Sequence, residues 1–168
     1  MKVIFFGTPE YVLPILENLH KCFEVVAVVT REAKPADRDK KLTYTPIDRW
    51  AFKHKIPVIY DLNKVPRADL GILAAYGKII PEFLTANFKF GILNVHPSLL
   101  PDLRGASPVQ AAIVRGLEQT GVTIIKLDSE LDHGPIVSSF KEKVLAEDTT
   151  GTLRQRLFAR SSQFLIDL

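Results

Sequence analysis

The sequence lacks the features that secreted and membrane proteins usually carry. It has a single cysteine, Cys22, so no internal disulfide can form, whereas small secreted folds usually hold several cysteines. The apolar run at residues 3–6 ends at Gly7 and Pro9, which is too short for a signal peptide and far too short to cross a bilayer. We therefore expect a cytoplasmic protein that makes no membrane contact.

Charge and metal-ligating residues are also sparse. The 22 basic and 19 acidic side chains give a formal net charge of +3, too small to argue for nucleic-acid binding unless the charges cluster. The four histidines show no ligand spacing such as H-E-x-x-H, so the sequence predicts no metal site. The 168 residues, 46% of them apolar, suit one domain with a sizeable core, and we expect a monomer.

Hydrophobic patterns predict alternating strands and helices, which is typical of an α/β fold with a mostly parallel sheet. Thr8 is predicted to cap the first helix, and residues 31–44 are interpreted as an exposed basic loop. The predicted strands span residues 2–6, 23–30, 57–59, 69–75, 91–96, 121–127 and 135–144. Further helices are predicted at residues 46–54, 81–87 and 107–115, and from Thr149 or Thr150 towards the end of the sequence.

The fifth predicted strand ends in a pair of polar side chains. Asn94 and His96 are two residues apart, so both leave the same face of the strand, and Pro97 then ends the ladder. Open α/β sheets bind ligands just beyond the carboxyl ends of their strands. An amide can stabilise a developing oxyanion and an imidazole can move protons, so the pair suits acyl transfer to a substrate amine. The alternative is that both residues only form a turn.

A carboxylate near His96 would orient the imidazole and favour its charged form. The segment 128–135 offers three acids in a loop between two predicted strands, namely Asp128, Glu130 and Asp132. The pattern of residues does not choose among them.

The two segments together resemble the signature of the 10-formyltetrahydrofolate-dependent formyltransferases. The matching residues are Asn94-Val-His96-Pro-Ser-Leu-Leu-Pro and, about forty residues later, Leu131-Asp132-x-Gly134. This resemblance implies a Rossmann-like, mostly parallel twisted sheet with flanking helices. It also implies 10-formyltetrahydrofolate as co-substrate, no metal, and Asn94, His96 and Asp132 as the catalytic triad.

Four further segments resemble the methionyl-tRNA branch of that family. They are FFGTPE at residues 5–10, KPADRDKKL at 34–42, LAAYGKIIP at 73–81 and PDLRGASP at 101–108. The resemblance implies formyl transfer to initiator methionyl-tRNA in translation initiation, with tRNA and tetrahydrofolate as partners.

The same resemblance implies which residues contact the two substrates. Folate contacts are expected at Tyr76, Gly77, Lys78, Ile80, Ser129, Glu130 and Leu131. Acceptor contacts are expected at Gly7, Thr8, Arg38, Lys40, Lys41, Ser98, Leu99, Leu100, Pro101, Arg104 and Gly105. Two plainer interpretations compete: Gly7 and Thr8 form only a strand-to-helix turn, and the basic run at 34–42 is a solvated surface.

The sequence also departs from the family. Asp37 and Asp39 flank Arg38 and reduce the local positive potential, and the stretch between Pro57 and Asp69 is shorter than usual. The family usually carries a second, basic tRNA-binding domain; we expect residues 1–168 to be the catalytic domain and the second domain to be absent. Two alternative functions are a formyltransferase for a nucleotide-linked amino sugar and a non-catalytic module that binds folate or a nucleotide.

Overall fold

The strands and helices alternate along the chain in a computed structural model, which describes residues 1–36 and 41–168. The strands are β1 (Lys2–Gly7), β2 (Glu24–Val29), β3 (Lys34–Ala36), β4 (Lys41–Thr43), β5 (Val58–Ile59), β6 (Leu70–Ala74), β7 (Ile92–His96), β8 (Gln119–Lys126) and β9 (Ile136–Lys143). The α-helices are α1 (Leu13–Cys22), α2 (Pro46–Lys53), α3 (Glu82–Thr85), α4 (Pro108–Val114) and α5 (Thr150–Ile166). Short 3₁₀ turns lie at Glu10–Val12 and Leu62–Lys64. Among these helices, none is long and apolar enough to cross a membrane.

Seven of the described strands form one sheet in the order β5-β2-β1-β6-β7-β8-β9. Pairing is parallel from β5 through β7, and it becomes antiparallel between β7 and β8 and between β8 and β9. The predicted mostly parallel sheet is therefore confirmed. Because β2 and β6 lie on opposite sides of β1, the connections leave a crevice at the carboxyl ends of β1 and β6, where such sheets bind ligands.

The first strand explains how both faces of the sheet are covered. Val3 and Phe5 point into one apolar cluster, with α1 and α5, while Ile4 and Phe6 point into a second cluster on the other face. All four side chains are fully buried. A strand buried on both faces has a continuous apolar sequence rather than an alternating one, as β1 does.

The start of the first helix differs from the prediction. Thr8 does not cap it: the Thr8 hydroxyl donates to the backbone oxygen of Tyr76 at 2.9 Å, and a 3₁₀ turn precedes α1. Pro14 consequently falls in the first turn of α1, where the backbone N–H that it lacks would have no helical partner.

The predicted basic loop at residues 31–44 is wrong in its described part. β3 and β4 pair as an antiparallel hairpin, with Lys34 opposite Thr43. Lys41 lies in β4, whereas Arg38 and Lys40 fall outside the described residues. Two three-residue strands are too short to show a period of alternating polarity, so the sequence carried no signal for them.

Helix α5 is held firmly against β9. Its N-cap Thr149 and Thr152 form a reciprocal capping box. Arg156 then donates to Asp148 at 2.9 Å and lies 3.3 Å from Glu142 on β9. Guanidinium–carboxylate pairs of this kind fix the orientation of a helix as well as its position. The first turns of α5 thereby reach the crevice at the carboxyl end of β1.

Candidate active site

A cleft of about 640 Å³ opens at the carboxyl ends of β1, β6 and β7. Its size is ordinary for a site that holds a small organic molecule. The loops after these three strands, the segment before α4 and the first turns of α5 supply its walls. It is lined by Thr8, Pro9, Tyr11, Arg31, Leu73, Ala75, Tyr76, Gly77, Lys78, Ile79, Asn94, His96, Pro97, Gly105, Ala106, Ser107, Pro108, Val109, Gln110, Leu131, Asp132, Arg154 and Phe158.

Asn94 and His96 lie at the base of this cleft. The alternation of β7 sends both side chains to one face of the sheet, while Val95 packs in the apolar core on the other face. Asn94 is 8% exposed and His96 is 4% exposed. Such burial of an amide and an imidazole requires polar partners.

Asp132 supplies a partner to both side chains. Its Oδ1 accepts a hydrogen bond from Asn94 Nδ2 at 3.3 Å and lies 3.3 Å from His96 Nδ1. Its Oδ2 accepts the backbone N–H of Gly105 at 2.9 Å. Of the three acids that the sequence left open, Asp132 therefore meets the Asn–His pair, whereas Asp128 faces His133 at 3.1 Å and Glu130 is exposed.

The surroundings of Asp132 favour its ionised form. Burial raises the pKa of this carboxyl, but hydrogen bonds from His96 and Gly105, together with the nearby charges of His96 and Arg104, outweigh burial and hold the pKa below its ordinary value. Asp132 is therefore a carboxylate at neutral pH, available to accept hydrogen bonds from Asn94 and His96 at once.

Both ring nitrogens of His96 face oxygen atoms that can only accept. Nδ1 lies next to the Asp132 carboxylate, and Nε2 lies 3.1 Å from the backbone oxygen of Leu103. A neutral ring has one N–H and can satisfy one of these acceptors, whereas an imidazolium can donate to both. The arrangement thus accommodates a doubly protonated His96.

Backbone in the left-handed region surrounds the same cleft. Ala75, Leu103 and Asp132 have φ values of 48°, 57° and 51° without being glycine. Side chains rarely adopt this conformation, and such residues often cluster at functional sites. Gly134 lies in the same loop as Asp132, and its position has no room for a side chain, because a Cβ there would lie 1.8 Å from the backbone oxygen of Lys126. The loop can therefore press against the end of β8 and direct Asp132 inward.

The cleft brings together some of the other predicted contact residues. Those that line it are Thr8, Tyr76, Gly77, Lys78, Gly105 and Leu131. Those that do not are Gly7, Ile80, Ser98, Leu99, Leu100, Pro101, Arg104, Ser129 and Glu130. Their substrate contacts stay predictions, as do those of Arg38, Lys40 and Lys41.

Buried hydrogen bonds hold the segment after His96 in place. Ser98 is fully buried, and its hydroxyl donates to the backbone oxygen of Asp102 at 2.7 Å. The buried Thr123 hydroxyl donates to the Ser98 oxygen at 2.7 Å and accepts the Leu100 N–H at 3.0 Å. These bonds fix the path of the loop that carries Leu103 and Gly105 to the cleft.

Sequence reasoning missed several residues that line the cleft. Arg31 follows β2, and Arg154 lies in α5 above the ring of Tyr11. Ile79, which belongs to the predicted folate-binding segment 73–81, also lines the cleft and is 84% exposed. Within the described part of the chain, Arg31, Lys78 and Arg154 give the cleft three cationic side chains. Basic residues after a strand or near a helix start have no pattern that marks them as functional, so only the packing of distant elements reveals them. In the described part of the chain, no cluster of three His, Cys, Asp or Glu side chains could hold a metal ion.

The chain is similar to curated formyltransferases over its whole length. It is 42% identical over 178 residues to the methionyl-tRNA formyltransferase of Thermotoga maritima and 40% identical over 177 residues to that of Listeria monocytogenes. Each alignment covers 99% of this chain, which spans 57% and 56% of the two relatives, respectively.

Solved structures share the fold. A phosphoribosylglycinamide formyltransferase from Bacillus halodurans superposes with a TM-score of 0.73 at 25% identity, covering 98% of this chain and 95% of that one. A sugar 3N-formyl transferase, solved in the presence of dTDP and 5-N-formyl-THF, gives a TM-score of 0.78 at 19% identity over 99% of this chain and 61% of that one. A family model described as formyl transferase matches residues 1–168. The chain therefore belongs to the formyl transferase family, as the sequence predicted.

Proposed function

We propose that the chain holds the site that transfers a formyl group from 10-formyltetrahydrofolate to the α-amino group of initiator methionyl-tRNA. One observation carries the proposal: the buried contact of Asp132 with both Asn94 and His96 at the base of the cleft. The reaction needs no nucleophile from the protein, because the acceptor amine itself attacks the formyl carbon. The residues then have to hold the developing charge and move protons.

Asn94 is suited to bind the formyl oxygen as that atom gains negative charge. A carboxamide carries two N–H hydrogens, and the contact with Asp132 uses one of them. The second can donate to the formyl oxygen from a buried position, where a fixed donor is worth far more than in water. Asp132 holds the amide in the rotamer that this requires.

His96 is suited to deliver positive charge and a proton at the same place. Its Nδ1 is oriented by Asp132, which supports the imidazolium form. Its Nε2 is held by the Leu103 oxygen, so a direct contact with the departing N10 requires the segment at 101–105 to release that nitrogen. Asp132 takes the proton of the attacking amine through a water molecule.

The cleft fits a folate in shape and chemistry. Ile79 and Leu131 are 84% and 72% exposed, and both line the cleft, so they offer apolar surface to a flat aromatic ring system. The loops that carry them also offer backbone N–H and C=O groups for a pteridine. The bound folate supplies the formyl group, and residues 76–80 and 128–132 orient it towards Asn94.

The charges around the cleft fit a nucleic-acid acceptor. Among the residues that the structure describes, Arg31, Lys78 and Arg154 line it, and Asp132 supplies the one carboxylate. A cleft with excess positive charge attracts a polyanion and raises its local concentration. Since the chain spans little more than half of its curated relatives, the tRNA acceptor and its affinity are part of the proposal.

The test is a formyl-transfer assay with two acceptors, methionyl-tRNA and a nucleotide-linked amino sugar, each with 10-formyltetrahydrofolate. We expect transfer to methionyl-tRNA, and Asn94→Ala to lower its rate by about 100-fold or more, as for other oxyanion donors. Asn63→Ala changes an exposed residue of the 3₁₀ turn at Leu62–Lys64 that does not line the cleft, so it serves as the matched control and should leave the rate unchanged. Transfer to the sugar alone would refute the acceptor, and a loss of only a few-fold in Asn94→Ala would refute the role of that residue.

A further inference from the structure

Arg31 spans the gap between the end of β2 and the loop after β6. Its Nη2 donates to the backbone oxygen of Gly77. A Cβ on residue 77 would lie 2.1 Å from that nitrogen, and Gly77 has a φ of 78°. The absence of a side chain at Gly77 therefore creates the space in which the guanidinium rests, and the Gly77 oxygen holds it there.

The guanidinium still has donors to offer. Arg31 Nε is buried, and within the described residues it has no hydrogen-bond partner. The buried hydroxyl of Tyr76, a residue that lines the main cleft, likewise has no hydrogen-bond partner within the described residues. Burial raises the pKa of Tyr76, and the charge of Arg31 offsets only part of that rise. Unpaired buried polar atoms are rare in folded proteins, so the unpaired Arg31 Nε, which belongs to a side chain that lines both spaces, points to a ligand with acceptor oxygens.

A second pocket of about 400 Å³ begins at this guanidinium. It is lined by Arg31, Glu32, Ala33, Lys34, Gly77 and Lys78. Three of these residues, Arg31, Gly77 and Lys78, also line the main cleft, so the two spaces adjoin. Among the described residues that line this pocket, three are cations and one is an acid, and the ion pairs found within the described part of the chain involve neither Lys34 nor Lys78.

We propose that this second pocket binds a phosphate group of the nucleotide portion of the acceptor, with Arg31 as its main ligand. A guanidinium presents paired N–H donors that match phosphate oxygens, and flanking lysines add point charges. A ligand can extend from the triad, past the residues that border both spaces, into this pocket. Its reactive amine would then lie in the cleft and an anionic group would lie beside Arg31. The choice of an aminoacylated nucleotide as acceptor rests on the proposed function, whereas phosphate binding by the pocket can be tested without it.

The experiment is an NMR titration of the chain with 5′-AMP and, separately, with adenosine. We expect 5′-AMP to bind more tightly than adenosine, because the two ligands differ only in the phosphate. Arg31→Gln should weaken 5′-AMP binding about ten-fold, as expected for loss of one hydrogen bond to a charged group, and leave adenosine binding unchanged. Arg31→Lys should retain part of the affinity, since it keeps the charge and loses the paired donors.

Arg67→Gln is the matched control. Arg67 is exposed and precedes β6, so it lies at the amino-terminal end of that strand, whereas the cleft lies at the carboxyl ends. Its loss should therefore not change binding. Equal affinities for 5′-AMP and adenosine, or equal effects of Arg31→Gln and Arg67→Gln, would overturn the assignment. In transfer assays we expect Arg31→Gln to raise the KM for the acceptor and not for 10-formyltetrahydrofolate. A rise in the folate KM instead would assign Arg31 to the folate carboxylates, and this too would overturn the proposal.

Discussion

Asp132→Asn separates the chemistry of the cleft from the stability of the fold. Asp132 accepts from Asn94 and the Gly105 N–H and faces His96 Nδ1, so three donors converge on its two oxygens. An asparagine keeps one oxygen and replaces the other by an NH₂ group. At least one of the three donors then faces another donor, and the negative charge beside His96 is gone.

The expected loss in rate follows from those contacts. A hydrogen bond to a charged group contributes about 1.5–3 kcal/mol, and a buried donor left without a partner costs about 1–3 kcal/mol more. Together they raise the barrier by about 2.5–6 kcal/mol, which is a loss of about 70-fold to 25,000-fold in kcat. Stability should change little, because asparagine tolerates the left-handed φ of 51° and the lower desolvation cost of a neutral side chain offsets the cost of the unpaired donor.

Single-turnover formyl transfer and thermal unfolding of the same samples would test both parts. We expect a large fall in rate and a melting temperature within a few degrees of that of the unsubstituted protein. Asp132→Ala is the companion variant: it should lose the activity and also stability, since alanine is disfavoured by about 1–2 kcal/mol in the left-handed region. If Asp132→Asn kept a rate within a few-fold, the carboxylate would have no part in the chemistry.

Two further predictions concern stability. Thr123→Val removes the hydroxyl that joins two backbone groups of the loop at 98–100, so we expect a loss of about 2 kcal/mol or more in urea unfolding, and an unchanged midpoint would contradict that role. Arg156→Gln should destabilise the protein at pH 7 and less at pH 2, with the decline setting in below about pH 4. The hydrogen bond from Arg156 holds the pKa of Asp148 well below its usual range, so the stability it gives is present above about pH 4 and is lost as the pH falls towards the depressed value. An equal destabilisation at both pH values would show that the effect is not electrostatic.

The sequence predicted the base of the site because one strand carries it. The alternation of Asn94, Val95 and His96 depends only on β7 being a strand, and the apolar residues that precede Asn94 predict that strand. The general position at the carboxyl ends of the strands followed from the strand–helix order in the same way.

The residues that the sequence missed are placed by tertiary structure. Arg31 reaches the cleft because the Gly77 loop lies beside it, and Arg154 reaches it because α5 packs across the end of β1. The choice of Asp132 over its acidic neighbours depends on a left-handed backbone at that residue and on the close approach of Gly134 to β8. The hydroxyl of Ser98 is engaged within its own loop, which no spacing rule reveals.

The most direct test of the central claim is a crystal structure of the chain with 5-formyltetrahydrofolate, a folate that does not transfer its formyl group from N10. We expect the pteridine between the loops at 76–80 and 128–132, and N10 next to the Asn94 amide and within reach of His96. A folate bound elsewhere on the sheet, or one whose N10 lies remote from Asn94 while Asp132 keeps its present contacts, would contradict the account.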